Sequence, residues 1–207
     1  MLIENCNIAN AWEISINHLI KDGEWVPAER GSRAKELRNV LFCISSPCSQ
    51  PQISGKYVFS ENFLTEYSDN YFLSEKTNSS VAERINRFGE IKLNQINRII
   101  EILSGHYYSR RAVISPWIQN EDLFSNHPPC VVLLQFQIRN NLLEITAILR
   151  SNDAWLAALP DLIAIHKVQT KVAEELGIGI GKLCMLSNSY HMYEMDVLKA
   201  LTVFQIS

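Results

Sequence analysis

Residues 128–150 read PPCVVLLQFQIRNNLLEITAILR, and this stretch decides the fold. It contains two apolar runs of strand length, and the polar triplet 139–141 separates them. Runs of this length that are rich in Val, Ile, Leu and Phe and bounded by turn residues are typical of strands that pair with each other. We therefore predict strands over 130–138 and 142–150, joined as a hairpin.

The rest of the chain alternates between helical and strand-like patterns. Apolar residues recur at three- and four-residue steps, which predicts helices over 8–21, 61–73, 91–103 and 161–176. Further strands are predicted over 37–45, 111–115 and 182–189, and loops or breaks over 24–36, 46–55 and 74–80. No linker or repeat divides the chain, so we expect one domain over 1–207. This order predicts an α+β fold, in which helices pack on a largely antiparallel or mixed sheet.

The composition excludes several classes of function. Hydrophobic residues make up 47% of the chain and charged residues 20%, and the formal net charge is −3. These values are ordinary for a globular protein with a sizeable core, and they supply no basic field for a nucleic-acid polymer. No uncharged apolar run approaches the ~18 residues that a membrane span requires, so no membrane partner is expected.

The cysteines and histidines favour a metal-free intracellular protein. The chain has five cysteines, an odd number, and no pair has C-x-x-C spacing. This usage favours free thiols in a reducing cytoplasm, which is the location we expect. The histidines form no spacing with the cysteines that is typical of zinc, so no metal is expected.

Polar motifs flank Cys130 at fixed distances. Residues 109–111 read SRR and end nineteen residues before it, and residues 150–153 read RSND and begin twenty residues after it. Residues 190–193 read YHMY. A cysteine thiolate can act as a nucleophile, and arginine forks match phosphate oxygens. The combination suggests covalent chemistry on a phosphorylated substrate.

In this order and at these spacings, the motifs resemble the thymidylate synthase superfamily, over roughly residues 84–195. The stretch GEWVPAERG at 23–31 and the overall length look more like the short, archaeal and hydroxymethylase-like branch. The resemblance implies a pyrimidine mononucleotide as substrate and 5,10-methylenetetrahydrofolate as cofactor. It also implies a homodimer that forms through the sheet and shares its active sites between subunits.

The resemblance gives Cys130 the role of a thiolate that adds to C6 of the pyrimidine and makes C5 nucleophilic. Arg150 and Ser151 resemble the phosphate-binding residues, and Arg110 and Arg111 stand where arginines of the neighbouring subunit belong. Nearby arginines would lower the pKa of the Cys130 thiol. Two alternatives remain, a buried structural cysteine and solvated arginines. Because adjacent side chains of a strand face opposite ways, at most one of the two neighbouring arginines can enter a given pocket.

Three further positions follow from the resemblance. Arg30 or Arg33 would supply a further phosphate contact. Asp153 resembles the acidic residue that orients the cofactor and the nucleotide, although an aspartate just after a strand is also a common turn residue. His191 and Tyr193 resemble the pair that binds the sugar 3′-hydroxyl, and their i, i+2 spacing places both on one face of a strand. A half-buried pair on a sheet face is the alternative.

Glu66 is our candidate for the catalytic glutamate of the family, which organises the water that moves protons, with Glu61 as the second choice. An exposed helix glutamate is the alternative reading of the same position. The chain also departs from the family pattern, because Val131 stands where many thymidylate synthases have a histidine. This difference puts the detailed water network in doubt, but not the nucleophile.

Asp161 decides the expected substrate. It lies eleven residues after Arg150, where thymidylate synthases typically carry an asparagine whose amide suits uracil. A carboxyl group accepts from the N4 amine of cytosine and, when protonated, donates to N3. The resemblance therefore implies a CMP or dCMP 5-hydroxymethyltransferase. The alternative for Asp161 is a helix N-cap. The functional alternatives are a thymidylate synthase that methylates dUMP and a non-catalytic nucleotide-binding homologue.

Overall fold

The computed structural model describes residues 1–28, 33–74 and 80–205, and it confirms an α+β fold with helices packed on a mixed sheet. The helices are α1 (Ile8–Asp22), α2 (Glu61–Tyr71), α3 (Ser80–Asn86), α4 (Gln95–Gly105), α5 (Gln119–Asp122), α6 (Ala158–Leu176) and α7 (Glu194–Phe204). The strands are β1 (Leu2–Asn5), β2 (Glu24–Pro27), β3 (Arg33–Ile44), β4 (Val113–Ile114), β5 (Val131–Arg139), β6 (Leu142–Leu149), β7 (Asn152–Asp153) and β8 (Gly179–Tyr193).

The long strand β8 lies inside the sheet and connects its parts. The strand order is β1-β3-β8-β6-β5-β4, with β2 paired to β3 and β7 paired to β8. β8 runs antiparallel to β3 and parallel to both β6 and β7. The loop after β6 and the end of β8 are therefore brought to the same part of the sheet.

The predicted hairpin is confirmed as β5 and β6. Arg139 pairs with Leu142, so the connection consists of Asn140 and Asn141. Both asparagines have positive φ, 51° and 61°, and asparagine tolerates this left-handed region better than most residues. The hairpin places Cys130, just before β5, beside the end of β6.

Helices cover one face of the sheet, and the other face is only half-buried. On β3, Val40, Phe42 and Ile44 are fully buried, and the residues between them are half-buried. Trp12 of α1 and Leu162 of α6 belong to the same fully buried core. Burial of alternate residues is what a sheet with one covered face produces. The opposite face keeps partly exposed side chains in the single chain.

The helix predicted over 161–176 is confirmed, but it begins earlier, at Ala158. It ends as predicted before Gly177, whose φ of 64° is left-handed and whose N–H donates to the carbonyls of Ala173 and Glu174. Among the described residues, no helix has the length and apolar character needed to span a membrane.

Some predicted boundaries are wrong, and in one segment strand pairing rather than local composition decided the structure. Of the segment predicted as a polar loop over 24–36, residues 24–27 form β2 and residues 33–36 begin β3, where Trp25 pairs with Lys35. The strand predicted over 111–115 shortens to β4, and the helix predicted over 91–103 begins only at Gln95. Several elements were not predicted: β1, β2, α3, α5, β7 and α7. Of the break predicted over 74–80, residues 75–79 lie outside the described residues.

Candidate active site

A cavity of about 900 Å³ opens beside Cys130. Pockets of ~300–1,000 Å³ are usual for small-molecule sites. The predicted site residues that line it are Cys130, Arg150, Ser151, Asp153, Asp161, His191 and Tyr193. Lining residues that the sequence did not single out include Tyr67, Tyr71, Asn152, Leu156, Met195 and Leu198.

Backbone pairing brings these residues together from distant parts of the chain. The N–H of Arg150 donates to the carbonyl of Cys130 at 2.9 Å, which joins the end of β6 to the start of β5. In β7, Asp153 pairs with His191 of β8, and the N–H of Ala154 donates to the His191 carbonyl at 2.7 Å. The RSND and YHMY motifs are therefore neighbours across a parallel strand pair.

Cys130 is half-buried, and the expected lowering of its pKa is wrong for the ligand-free chain. Burial raises the pKa of the Cys130 thiol, and the carboxyl of Asp161 adds to this effect. The Arg150 guanidinium acts in the opposite direction without reversing the balance, and Asp153 raises the pKa further. The thiol therefore holds its proton more strongly in the ligand-free chain than an exposed cysteine does.

Arg150 is held by the turn that precedes the cysteine. Its Nε donates to the Pro129 carbonyl at 3.0 Å, and its Nη2 donates to the Pro128 carbonyl at 2.9 Å. The guanidinium carbon also lies 5.9 Å from the ring centroid of Trp117. The residue is exposed and lines the cavity, so an anion there can meet a guanidinium whose position is fixed by backbone contacts.

Asp153 has the turn role that the sequence allowed, and it also lines the cavity. Its Oδ1 accepts from the N–H groups of Trp155 and Leu156, both at 3.0 Å. The pKa of Asp153 is raised, because burial outweighs the two hydrogen bonds and the nearby His191, all of which lower it. The turn fixes one carboxyl oxygen in place beside the cavity.

His191 and Tyr193 face the cavity together, as their spacing on one strand predicts. Their ring centroids lie 5.3 Å apart, with the planes nearly perpendicular at 87°. His191 Nδ1 is buried and has no hydrogen-bond partner among the described residues. Both side chains can therefore contribute polar atoms to one ligand group.

Asp161 does not cap α6, so the cap alternative is wrong. The helix begins three residues earlier, and the N–H of Asp161 donates to the Ala157 carbonyl inside the helix. Asp161 is only 3% exposed; its Oδ1 accepts from the Tyr67 hydroxyl at 2.7 Å, and its Oδ2 accepts from Asn152 Nδ2 at 2.6 Å. Burial raises the pKa of Asp161 to about 7, although both hydrogen bonds oppose this rise. The carboxyl thus belongs to the cavity wall.

Tyr67 and Asn152 are functional candidates that sequence reasoning missed. Asn152 stands inside the RSND motif, whose position alone was a usable signal. Tyr67 follows Glu66 on α2, and its ring stacks on Tyr71 at a centroid distance of 4.9 Å. The contact of Tyr67 with α6 spans 94 residues of sequence, so no local pattern indicates it.

Four predicted residues do not line this cavity. Glu66 is exposed on α2 and lines a smaller adjoining groove with Phe63, Tyr67, Asn70 and Tyr71. Arg110 and Arg111 are exposed in the segment before β4. Glu61, the second choice for the glutamate, is exposed at the start of α2.

Arg30 lies outside the described residues. Arg33, the alternative to it, lines the cavity and forms an ion pair with Glu194 through its Nε at 2.8 Å. Its guanidinium carbon also lies 4.3 Å from the ring centroid of Trp25. No group of three or more metal-binding side chains occurs within residues 1–28, 33–74 and 80–205.

Comparison with known proteins identifies the family. The thymidylate synthase family model matches residues 51–205. A protein of Methanocaldococcus jannaschii named "Putative thymidylate synthase" is 33% identical over 202 residues, which cover 93% of this chain and 90% of that protein. A protein of the same name from Methanothermobacter marburgensis is 29% identical over 213 residues, covering 96% of this chain and 95% of its own length. Because the matched region contains the cavity residues from Tyr67 to Tyr193, the chain belongs to the thymidylate synthase family.

Proposed function

We propose that this protein is a 5-hydroxymethyltransferase that acts on CMP or dCMP and takes its one-carbon unit from 5,10-methylenetetrahydrofolate. The observation that carries the proposal is the Asp161 carboxyl in the cavity wall, held by Tyr67 and Asn152. An acid at this place can accept from the N4 amine of cytosine and donate to N3. Family membership supports the coarser conclusion, a folate-dependent one-carbon transfer to a pyrimidine nucleotide.

Cys130 would act as the nucleophile. Its thiol loses a proton, its sulfur forms a bond to C6, and the electron pair of the C5–C6 double bond moves to C5. Asp161 supports this step by hydrogen-bonding the N3 and N4 edge, where charge develops as the ring loses its double bond. C5 would then form a bond to the one-carbon unit and lose its own proton, while the carbon–nitrogen bond that held this unit to the cofactor would break and tetrahydrofolate would leave. Water adds to the resulting exocyclic methylene, and elimination of the Cys130 thiolate restores the ring.

The remaining polar residues would orient the nucleotide. Arg150 and Ser151 would bind the phosphate, because a guanidinium fork and a hydroxyl are suitable donors to its oxygens. His191 and Tyr193 would bind the sugar hydroxyl, and Asp153 would orient the base and the cofactor. All five line the same cavity, which supports this distribution of roles.

The cavity also fits the cofactor that the family uses. Leu156, Met195 and Leu198 line it and present exposed apolar surface, which suits a flat heterocyclic ring. The cofactor supplies the one-carbon electrophile when it is bound. Glu66 lies in the adjoining groove, and we propose that it moves protons to and from the reacting groups through water.

We also propose a homodimer that forms through the half-buried face of the sheet. Arg110 and Arg111 are exposed and do not line the cavity of their own chain, which supports their delivery to a partner's phosphate site. Arg30 would contribute a further phosphate contact. The five cysteines are free, and this supports a reducing cytoplasm as the place of the reaction.

A product assay tests the proposed function. The protein is incubated with methylenetetrahydrofolate and, separately, with CMP, dCMP, UMP and dUMP, and the nucleotides are analysed by mass spectrometry. We expect a 5-hydroxymethyl product from a cytidylate and little reaction with uridylates. Formation of thymidylate and dihydrofolate from dUMP would instead favour a thymidylate synthase, as the names of the archaeal relatives suggest for those proteins.

A non-catalytic nucleotide-binding homologue is the remaining candidate, and the raised pKa of the Cys130 thiol is the observation in its favour. Such a homologue would bind a nucleotide, but it would release no tritium from CMP, dCMP, UMP or dUMP labelled with tritium at C5.

A further inference from the structure

Asp161 is a buried carboxyl whose hydrogen-bond donors are both neutral, the Tyr67 hydroxyl and the Asn152 amide. Among the described residues it takes part in no ion pair. A second buried carboxyl, Asp122, has a cationic partner, because Arg84 Nη1 lies 2.7 Å from its Oδ2. Burial disfavours the charged form of a carboxyl unless a cation or enough donors offset it. The two sites therefore differ in how readily their carboxyls take up a proton.

The groups around Asp161 do not replace the missing cation. Tyr57 and Tyr71 contribute neutral phenols, since burial holds the pKa of each well above its usual value. Asp153 is a second carboxyl, and its proximity further raises the pKa of Asp161. The guanidinium of Arg150, in the same cavity, already donates to backbone carbonyls. Cys130 faces the same cavity as a half-buried thiol.

The hydrogen bonds to Asp161 are compatible with both of its protonation states. Each carboxyl oxygen accepts one bond, from Tyr67 or from Asn152, and retains a second lone pair. A proton on one of these free positions creates an O–H donor without breaking either bond. Only the protonated form offers a donor and an acceptor together, which is what the N3 and N4 edge of cytosine requires.

Asn152 contacts Asp161 through its amide nitrogen. Its Oδ1 is buried and has no hydrogen-bond partner in the described part of the chain. The bond from Nδ2 to Asp161 lowers the pKa of the carboxyl, as the bond from the Tyr67 hydroxyl does, so both neighbours favour its charged form.

We propose that Tyr67 and Asn152 are positioning residues that control the uptake of a proton by Asp161, and that a cytidylate binds together with one proton on this carboxyl. The linkage to the nucleotide rests on the proposed function, since it requires the base to lie against Asp161. The control of Asp161 by its two neighbours does not depend on any ligand.

Titration of the ligand-free protein tests the first part. The carboxyl of Asp161 is followed by infrared difference spectroscopy, with Asp161→Asn as the blank. Both donors favour the charged form, so Tyr67→Phe and Asn152→Leu should each raise the midpoint by about one pH unit. Tyr57→Phe is the matched control, because this hydroxyl donates to the Leu156 carbonyl and not to Asp161. Unchanged midpoints in both variants, or an equal shift in the control, would overturn the assignment.

Calorimetry of the intact protein tests the second part. Binding of dCMP and of CMP is measured at pH 8 in buffers with different ionisation enthalpies, which gives the number of protons taken up. We expect uptake approaching about one proton per nucleotide, and its loss in Asp161→Asn. Binding without uptake would overturn the linkage alone. Absence of nucleotide binding would overturn both the linkage and the proposed function, whereas the ligand-free titration would still decide the roles of Tyr67 and Asn152.

Discussion

The Tyr67 hydroxyl on α2 donates a hydrogen bond of 2.7 Å to Oδ1 of Asp161 on α6, and both residues line the cavity. Burial and the nearby Asp161 hold the pKa of Tyr67 well above its usual value, so the phenol remains the donor across the physiological pH range. The carboxyl that we assign to base recognition is thus oriented by a helix that contributes no predicted nucleophile or phosphate ligand.

Replacement of this carboxyl should change the preferred base. In Asp161→Asn, the amide can donate to O4 of uracil, so preference should shift from cytidylates towards uridylates. A mispaired buried hydrogen bond costs about 1–3 kcal/mol, which corresponds to roughly 5- to 160-fold in the ratio of kcat/KM values. Competition assays with dCMP and dUMP measure this ratio. An unchanged ratio would remove Asp161 from base recognition.

The same substitution should alter the pH dependence of stability. The pKa of Asp161 is about 7 in the folded protein, and it is about 3.9 in an unfolded chain. The folded state therefore binds more protons between these values, so this group's contribution to stability is present at low pH and is lost as pH rises through about 7.

The Asp161→Asn variant should not lose this contribution as pH rises. From pH 5 to pH 8, the difference in unfolding free energy between the variant and the wild type should therefore shift by a few kcal/mol in favour of the variant. Urea unfolding of both proteins at the two pH values measures the difference. Groups that do not interact with Asp161 titrate alike in both proteins and cancel in the comparison. Parallel pH profiles would show that Asp161 has an ordinary pKa.

Cys130→Ala should abolish turnover and leave the fold intact, because no other group in the proposed mechanism bonds to C6. With a 5-fluoropyrimidine nucleotide and cofactor, the wild type should form a covalent adduct that mass spectrometry detects. Cys48→Ala is a suitable control, since Cys48 is exposed and distant in sequence from the site motifs. Full activity of Cys130→Ala would refute the covalent mechanism.

Shared active sites predict complementation between inactive chains. Arg111→Ala and Cys130→Ala should each be inactive, yet their mixture should recover about a quarter of the wild-type activity. Random pairing makes half of the dimers mixed, and each mixed dimer contains one intact site. Each variant mixed with itself provides the control. A protein that sediments as an active monomer would contradict this arrangement.

Arg84→Leu should destabilise the protein strongly. Arg84 neutralises the buried Asp122 through contacts of 2.7 and 2.9 Å, and Asp122 in turn accepts from the N–H of Ile118 at 2.6 Å. Removal of one partner of a buried pair typically costs about 3–5 kcal/mol. Thermal unfolding measures the loss, with Arg98→Ala, which breaks an exposed pair, as the control that should change stability by less than about 1 kcal/mol. If Arg84→Leu melts at the same temperature as the wild type, the pair of Arg84 and Asp122 does not stabilise the fold.

The sequence predicted those parts of the fold in which local pattern and tertiary environment agree. The hairpin of β5 and β6 combines apolar runs with a two-asparagine turn, and α6 combines a buried face with Gly177 at its end. The start of β3 was not predictable from composition, because residues such as Lys35 and Glu36 read as a loop and become a strand by pairing with β2 and β8.

The candidate site likewise contains features that local spacing predicts and features that depend on tertiary packing. Spacing along β8 predicted that His191 and Tyr193 face the cavity together, because neighbouring positions of a strand have fixed directions. The contact between Tyr67 and Asp161 depends on how α2 packs on α6, which no spacing reveals. The pKa of Cys130 also depends on its surroundings, since burial and two carboxyls outweigh the arginine that the sequence emphasised.

The position of β8 inside the sheet has a consequence for how such a site can change. The strand that carries His191 and Tyr193 is fixed by hydrogen bonds to β3, β6 and β7, so substitutions there disturb the whole sheet. The helix α2, in contrast, lies outside the sheet and reaches the cavity through the half-buried side chains of Tyr67 and Tyr71. Directed evolution of base preference is therefore best aimed at α2, where a new side chain changes the contact with Asp161 without interrupting a strand.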